Sequence, residues 1–129
     1  MKIKHFILFI VLLFISNIAM IAQNKIEINS KEAFTMLQKN NKIVVLDVRT
    51  PGEFNDGHIK GAVNIDIHDP DALRKIDKLD HNTVYLVHCR TNHRSKIAAD
   101  HMVQSGFKTV YQMMDGYMGW AANNLPAQK

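Results

Sequence analysis

The chain has 129 residues, 47% of them hydrophobic and 22% charged. That is enough for one domain with its own core, too little for two ordinary ones, and unlike a disordered composition. Of the formal net charge of +4, two charges come from Lys2 and Lys4, and the scattered remainder speaks against nucleic-acid binding.

Residues 1–22 carry the three parts of a secretory signal peptide. Lys2 and Lys4 form a basic end, Phe6 to Ile15 an unbroken apolar run, and Ala19 to Ala22 a region with small residues. An apolar run of this length falls short of the roughly 20 residues that span a bilayer core. Cleavage near Ala22 and a periplasmic mature protein are therefore expected. An uncleaved N-terminal helix anchoring the chain to the membrane is the alternative, because the apolar character continues past Ser16 and Asn17 to Ala22. The only cysteine is Cys89, so no disulfide can form within the chain.

Asn29 or Ser30 can cap a helix, with Glu32 completing a capping box, and Ala33, Phe34 and Leu37 follow at helical spacing up to Asn40-Asn41. Ile43 to Val48 reads as a strand buried on both faces and closed by Thr50-Pro51-Gly52. A shorter strand is expected over Ala62 to Ile65. A short helix is expected over Pro70 to Leu79, with Asp69 as its cap. Thr83 to Val87 is a second central strand, followed by a helix from about Ser95 with Ala98, Ala99, Met102 and Val103 inward and Gly106 as its stop. Val110 to Met113 gives a further strand and Gly116 to Asn123 a last helix. Strands alternating with helices predict an α/β fold with a mostly parallel sheet, in which reactive groups sit at the C-terminal strand edge. Asp47 and Cys89 both lie there.

The segment His88-Cys89-Arg90-Thr91-Asn92-His93-Arg94-Ser95 places a thiol between a buried strand and a helix N-terminus. The helix dipole, a nest of backbone N–H groups and the charges of Arg90 and Arg94 all favour thiolate over thiol. No Asp or Glu lies between Asp80 and Asp100, so the loop suits an anion such as a persulfide or the sulfonate-like end of thiosulfate. His88, Cys89 and His93 crowd one loop beside arginines and make a poor metal site. The chemistry needs neither a metal nor an organic cofactor.

The run from Asp47-Val-Arg-Thr-Pro-Gly-Glu53-Phe54 through Gly57-His58-Ile59-Lys-Gly61-Ala62-Val-Asn64 resembles the first signature of the rhodanese family. The Cys89–Ser95 loop resembles its active site, and the Gly116 to Trp120 region its C-terminal signature. The resemblance covers residues 26–126 and implies a three-layer domain, a mostly parallel central sheet flanked by helices, with a persulfide-bearing Cys89. It also implies a cradle of Arg90, Thr91, Asn92, His93, Arg94 and Ser95, buttressed by Asp47 and Arg49. Glu53, Gly57, His58 and Gly61 belong by position to the turn and packing around the next strand. Asn92 stands where the family often has glycine, at a position expected to need positive φ, and Asp115-Gly116 replaces a Gly-Gly pair.

The resemblance implies a sulfurtransferase moving sulfane sulfur from a donor such as thiosulfate to cyanide or a thiol, with a sulfur-accepting protein as a further candidate partner. Two other readings compete. A phosphatase or arsenate reductase would use Cys-x5-Arg, whereas only four residues separate Cys89 from Arg94. A non-catalytic sulfide-binding or sensing module of the envelope would retain the same loop.

Overall fold

The computed structural model describes residues 25–129; the signal-peptide reading falls on residues outside that range. Five strands form one sheet: β1 (Lys25–Ile28), β2 (Val44–Asp47), β3 (Val63–Asn64), β4 (Val84–His88) and β5 (Thr109–Met113). Their order is β1-β5-β4-β2-β3 and every pairing is parallel. The helices are α1 (Ser30–Lys39), α2 (Pro51–Asp56), α3 (Ala72–Asp77), α4 (His93–Gln104) and α5 (Gly116–Ala122).

Alternation along the strands divides the core in two. Leu46, Tyr85, Val87 and Val110 face Ile76 of α3 and Ala98, Ala99 and Met102 of α4. Val45, Leu86 and Met113 face Ala33 of α1 and Trp120 of α5. Strands buried on both faces lose the polar alternation of a half-exposed sheet, which is why β2 and β4 read as continuous apolar runs. The result is the expected three-layer α/β domain.

Several elements follow directly from local chemistry. Asn29 caps α1, and both bonds of the capping box with Glu32 are present. Gly106 adopts φ +87° just beyond α4, where the chain must leave the helix through the left-handed region. The short helix α3 departs from expectation. It starts at Ala72, because Asp69 spends its carboxylate on the Asp71 N–H in a local turn. Two elements were not anticipated. Strand β1 is a four-residue edge strand on β5. Helix α2 hides in the Thr50-Pro51-Gly52 segment that reads as a turn. Its signal was legible: Thr50 and Glu53 form a capping box and Pro51 occupies the first turn.

The chain runs outward from β2 to β3, then returns to place β4 on the other side of β2 and continues to β5. The crevice between the C-terminal ends of β2 and β4 is thus the topological switch point. Asp47 and His88 are paired across it.

Leu46 is fully buried in β2. Leu46→Ala is expected to lower the unfolding free energy by about 2–5 kcal/mol in a urea titration. Ile97→Ala, at a site 47% exposed on α4, should change it by no more than about 0.5 kcal/mol.

Candidate active site

Cys89 follows directly on β4, and residues 90–92 link it to α4. Three loop carbonyls are claimed from outside. The Cys89 carbonyl accepts from Tyr117 N–H at 2.8 Å and the Arg90 carbonyl from Met118 N–H at 3.0 Å, both in the first turn of α5. The Asn92 carbonyl accepts from the Ser95 hydroxyl, from Gln112 Nε2 and from Lys96 N–H. In a trans peptide the N–H lies opposite the carbonyl, so the N–H groups of Arg90, Thr91 and His93 turn away from these partners. None of the backbone N–H groups from Arg90 to Ser95 donates to a described acceptor, and the last three belong to the first turn of α4, where no intrahelical partner exists.

The close approach of α5 to the loop requires Gly116. It has φ +61°, and a Cβ there would lie 2.3 Å from the carbonyl oxygens of Arg90 and Thr91. Asp115, in place of the Gly-Gly pair's first residue, accepts from Ser30 N–H at 2.8 Å and Ser30 Oγ at 2.6 Å. Gly119 makes room for it, since a Cβ at Gly119 would meet Asp115 Oδ2 at 2.0 Å. The aspartate therefore ties α5 to α1.

Cys89 is only 1% exposed. Its Sγ is 3.6 Å from Ser95 Oγ, and its residue borders the cluster of Val48, Val87 and Ala98. The sulfur is thus a buried floor, and Arg90, Thr91, Asn92 and His93 form an exposed rim above it. Asn92 does not adopt the expected positive φ. It has φ −145° as the N-cap of α4, and its Nδ2 donates to the Met114 carbonyl at 3.2 Å. Holding the β5 end in this way replaces the glycine-type turn.

Charge is distributed differently from the sequence expectation. Arg94 forms a fork with Glu53, at 2.7 Å to Oε1 and 3.0 Å to Oε2. The acid-free window around Cys89 is thus breached from α2, and Arg94 is not a free cation. Arg90 remains exposed. The Arg94 hydrogen bonds hold the Glu53 carboxyl down to about 2, partly opposed by burial and helped by Thr50.

Beneath the loop, Asp47 and Arg49 form a second, buried fork with contacts of 2.7–3.1 Å. Arg49 also donates to the Gly57 carbonyl at 2.8 Å and lies 4.0 Å over the Tyr117 ring. Asn64 ties the strand end by donating to the carbonyls of Asp47 and Arg49. His88 donates Nδ1–H to the Cys89 carbonyl at 3.1 Å. Burial lowers its pKa despite Asp47 nearby, so the imidazole is neutral and its buried Nε2 has no bonded partner. Gln112 belongs to no motif; its one signal in the sequence is a polar side chain inside the strand Val110 to Met113, and the structure buries it completely. Its Nε2 contacts Asn92 and Ser95, whereas its Oε1 is buried without a partner, which costs about 1–3 kcal/mol.

A cavity of about 360 Å³ beside the loop is lined by Arg49, Glu53, Arg90, Tyr117 and Met118. Larger hollows of about 600 Å³ lie away from Cys89, around α1. Among the described residues no cluster of three His, Cys, Asp or Glu side chains is placed to hold a metal ion.

A cysteine loop at the switch point of a five-stranded parallel sheet defines an α/β domain built around one thiol. The Rhodanese-like domain family matches residues 30–123, and the chain belongs to it. A thiosulfate sulfurtransferase GlpE of Stutzerimonas stutzeri is 37% identical over 83 residues, covering 64% of this chain and 73% of that protein. A sulfurtransferase of Allochromatium vinosum is 31% identical over 101 residues, covering 78% and 92%. A rhodanese-related protein from Thermoplasma volcanium superposes with a TM-score of 0.69 at 27% identity, covering 80% of this chain and 97% of that one. These relatives support a rhodanese-type sulfurtransferase.

Two measurements follow. Gly119→Ala should destabilise the domain by about 1–3 kcal/mol by overpacking, and should cost much less in an Asp115→Gly background, which removes every Asp115 side-chain atom the new Cβ would meet, as read by urea unfolding. The Glu53 pKa is depressed on folding, so its stabilisation is full above 4.5 and is lost as pH falls through about 2. Glu53→Gln is expected to flatten that part of the stability–pH curve.

Proposed function

We propose that this protein transfers sulfane sulfur from a donor such as thiosulfate to a thiophilic acceptor, cyanide or a thiol, through a persulfide on Cys89. The observation that carries the reading is the only cysteine in the chain, set beneath a run of unpaired backbone N–H groups from Arg90 to Ser95. Such donors stabilise an anion with no reorganisation when charge arrives.

In the first half-reaction the Cys89 thiolate attacks the outer sulfur of the donor. A new S–S bond forms, the donor's S–S bond breaks, and sulfite departs with the electron pair. In the second, cyanide or a thiolate attacks the terminal sulfur, and Cys89 leaves as thiolate. Arg90, Thr91, Asn92, His93, Arg94 and Ser95 form the cradle, with Arg90 the open cation and Arg94 holding the rim to Glu53. Asp47 and Arg49 act as buttress.

We place the domain, residues 26–126, in the periplasm after removal of residues 1–22, with the uncleaved membrane anchor as the alternative. No helix among the described residues is long and apolar enough to cross a membrane.

The near-complete burial of Cys89 also favours a second reading, a sulfide-binding or sensing module that holds sulfur without turnover. A phosphatase-like activity gains nothing from the geometry, because Arg94 is engaged by Glu53. Incubation with thiosulfate should add one sulfur atom to Cys89 by intact-mass analysis, and cyanide should then release it as thiocyanate. Unmodified Cys89 under those conditions would remove the proposal. Persulfide formation without faster thiocyanate release than Cys89→Ser would select the binding module.

A further inference from the structure

Gln112 lies on β5, at 0% exposure, on the sheet face that Val110 shares with α4. A methionine or leucine would satisfy that setting, and the amide leaves one acceptor, Oε1, without a partner. A local rule broken in this way points to a task. The bonds show which task. Gln112 Nε2 lies 3.1 Å from the Asn92 carbonyl and 3.1 Å from Ser95 Oγ. A carbonyl only accepts, so the amide cannot be turned over without opposing two acceptors. Both amide hydrogens are thereby committed, one to each oxygen.

Ser95 has a single proton. With Cys89 as a thiol, Ser95 donates it to the Asn92 carbonyl at 3.0 Å and accepts from Sγ–H at 3.6 Å. Once the sulfur carries charge, that arrangement sets a hydroxyl lone pair against an anion. Rotation of the Ser95 hydroxyl reverses it, and the proton then points at sulfur. Such a rotation withdraws the serine donor from the Asn92 carbonyl, which without Gln112 would keep the Lys96 N–H alone for its two lone pairs.

We propose that Gln112 is a positioning residue that, with the Lys96 N–H, keeps both lone pairs of the Asn92 carbonyl occupied through this rotation. It keeps a donor on the Asn92 carbonyl and a second donor on Ser95 Oγ, so the serine proton is released to an anionic sulfur, whether thiolate or persulfide. Donation from Gln112 also polarises the hydroxyl, which strengthens its bond to the anion. The inference rests on the sulfur-transfer reading for its purpose, but its geometry concerns any charged state of Cys89.

The test is a double-mutant cycle of Gln112→Met and Ser95→Ala, read as the rate of Cys89 alkylation by iodoacetamide at neutral pH, with thermal melting as the check on folding. The thiolate is the reacting species, and one lost bond to a charged group corresponds to about tenfold or more. Gln112→Met is expected to slow alkylation about tenfold and to have no further effect in the Ser95→Ala background. A packing role alone would loosen the loop over a buried sulfur and speed alkylation. Faster or unchanged alkylation, or equal slowing in both backgrounds, would overturn the proposal. Should Gln112→Met fail to melt cooperatively, Gln112→Asn, which withdraws the amide by one methylene, carries the same cycle. Wild-type protein that takes no sulfur from thiosulfate sinks the transfer reading alone, because the alkylation cycle needs no sulfur donor.

Discussion

The buried fork between Asp47 and Arg49 is the constraint on which the rest of the site depends. Asp47 closes β2 with no solvent exposure, and Arg49 is 3% exposed. Charges so buried survive only when every donor and acceptor is matched, because desolvation of an unpaired member costs several kcal/mol. Here the guanidinium is shared between Asp47, the Gly57 carbonyl and the face of Tyr117. Tyr117 in turn gives its N–H to the Cys89 carbonyl. One ion pair therefore connects the end of β2, the end of α2, the start of α5 and the cysteine loop.

From that connection the orientation of the loop follows. Helix α5 can reach the carbonyls of Cys89 and Arg90 only because Gly116 has no side chain. With those oxygens facing α5, planarity of the peptide sends the adjoining N–H groups the other way. Gln112 from β5 and Ser95 from the first turn of α4 do the same for the Asn92 carbonyl. The donors of the loop are thus aimed by what holds the acceptors. Backbone donors fixed in this way bring partial positive charge without the entropy of a long cationic side chain.

The charge pattern has a related logic. Two arginines near Cys89 look additive in sequence, yet Glu53 engages Arg94 in a bidentate pair. The pair ties α2 to the first turn of α4 and leaves Arg90 as the exposed cation of the rim. Glu53 itself is held by Thr50 through the capping box, so the same carboxylate that starts α2 also ends the electrostatic isolation of the loop. A residue with a purely local signature thereby acquires a long-range role.

Local chemistry was legible in the chain itself. The apolar runs of β2 and β4, the capping box at Asn29, the stop at Gly106 and the thiol between a strand and a helix all depend on neighbours within a few residues. Hydrogen-bond geometry and side-chain periodicity act over that range, so the sequence alone determined the α/β class and the position of Cys89. Tertiary structure decided the rest: the Glu53–Arg94 fork, the negative φ of Asn92, the seat of Asp115 against Ser30, the burial of the sulfur and the bonds of Gln112 to Asn92 and Ser95. The contacts behind them, Glu53 to Arg94, Asn92 to Met114, Asp115 to Ser30 and Gln112 to Asn92, join residues far apart in the chain, and pairing at such separation is set by sheet order and helix packing, which no local pattern encodes.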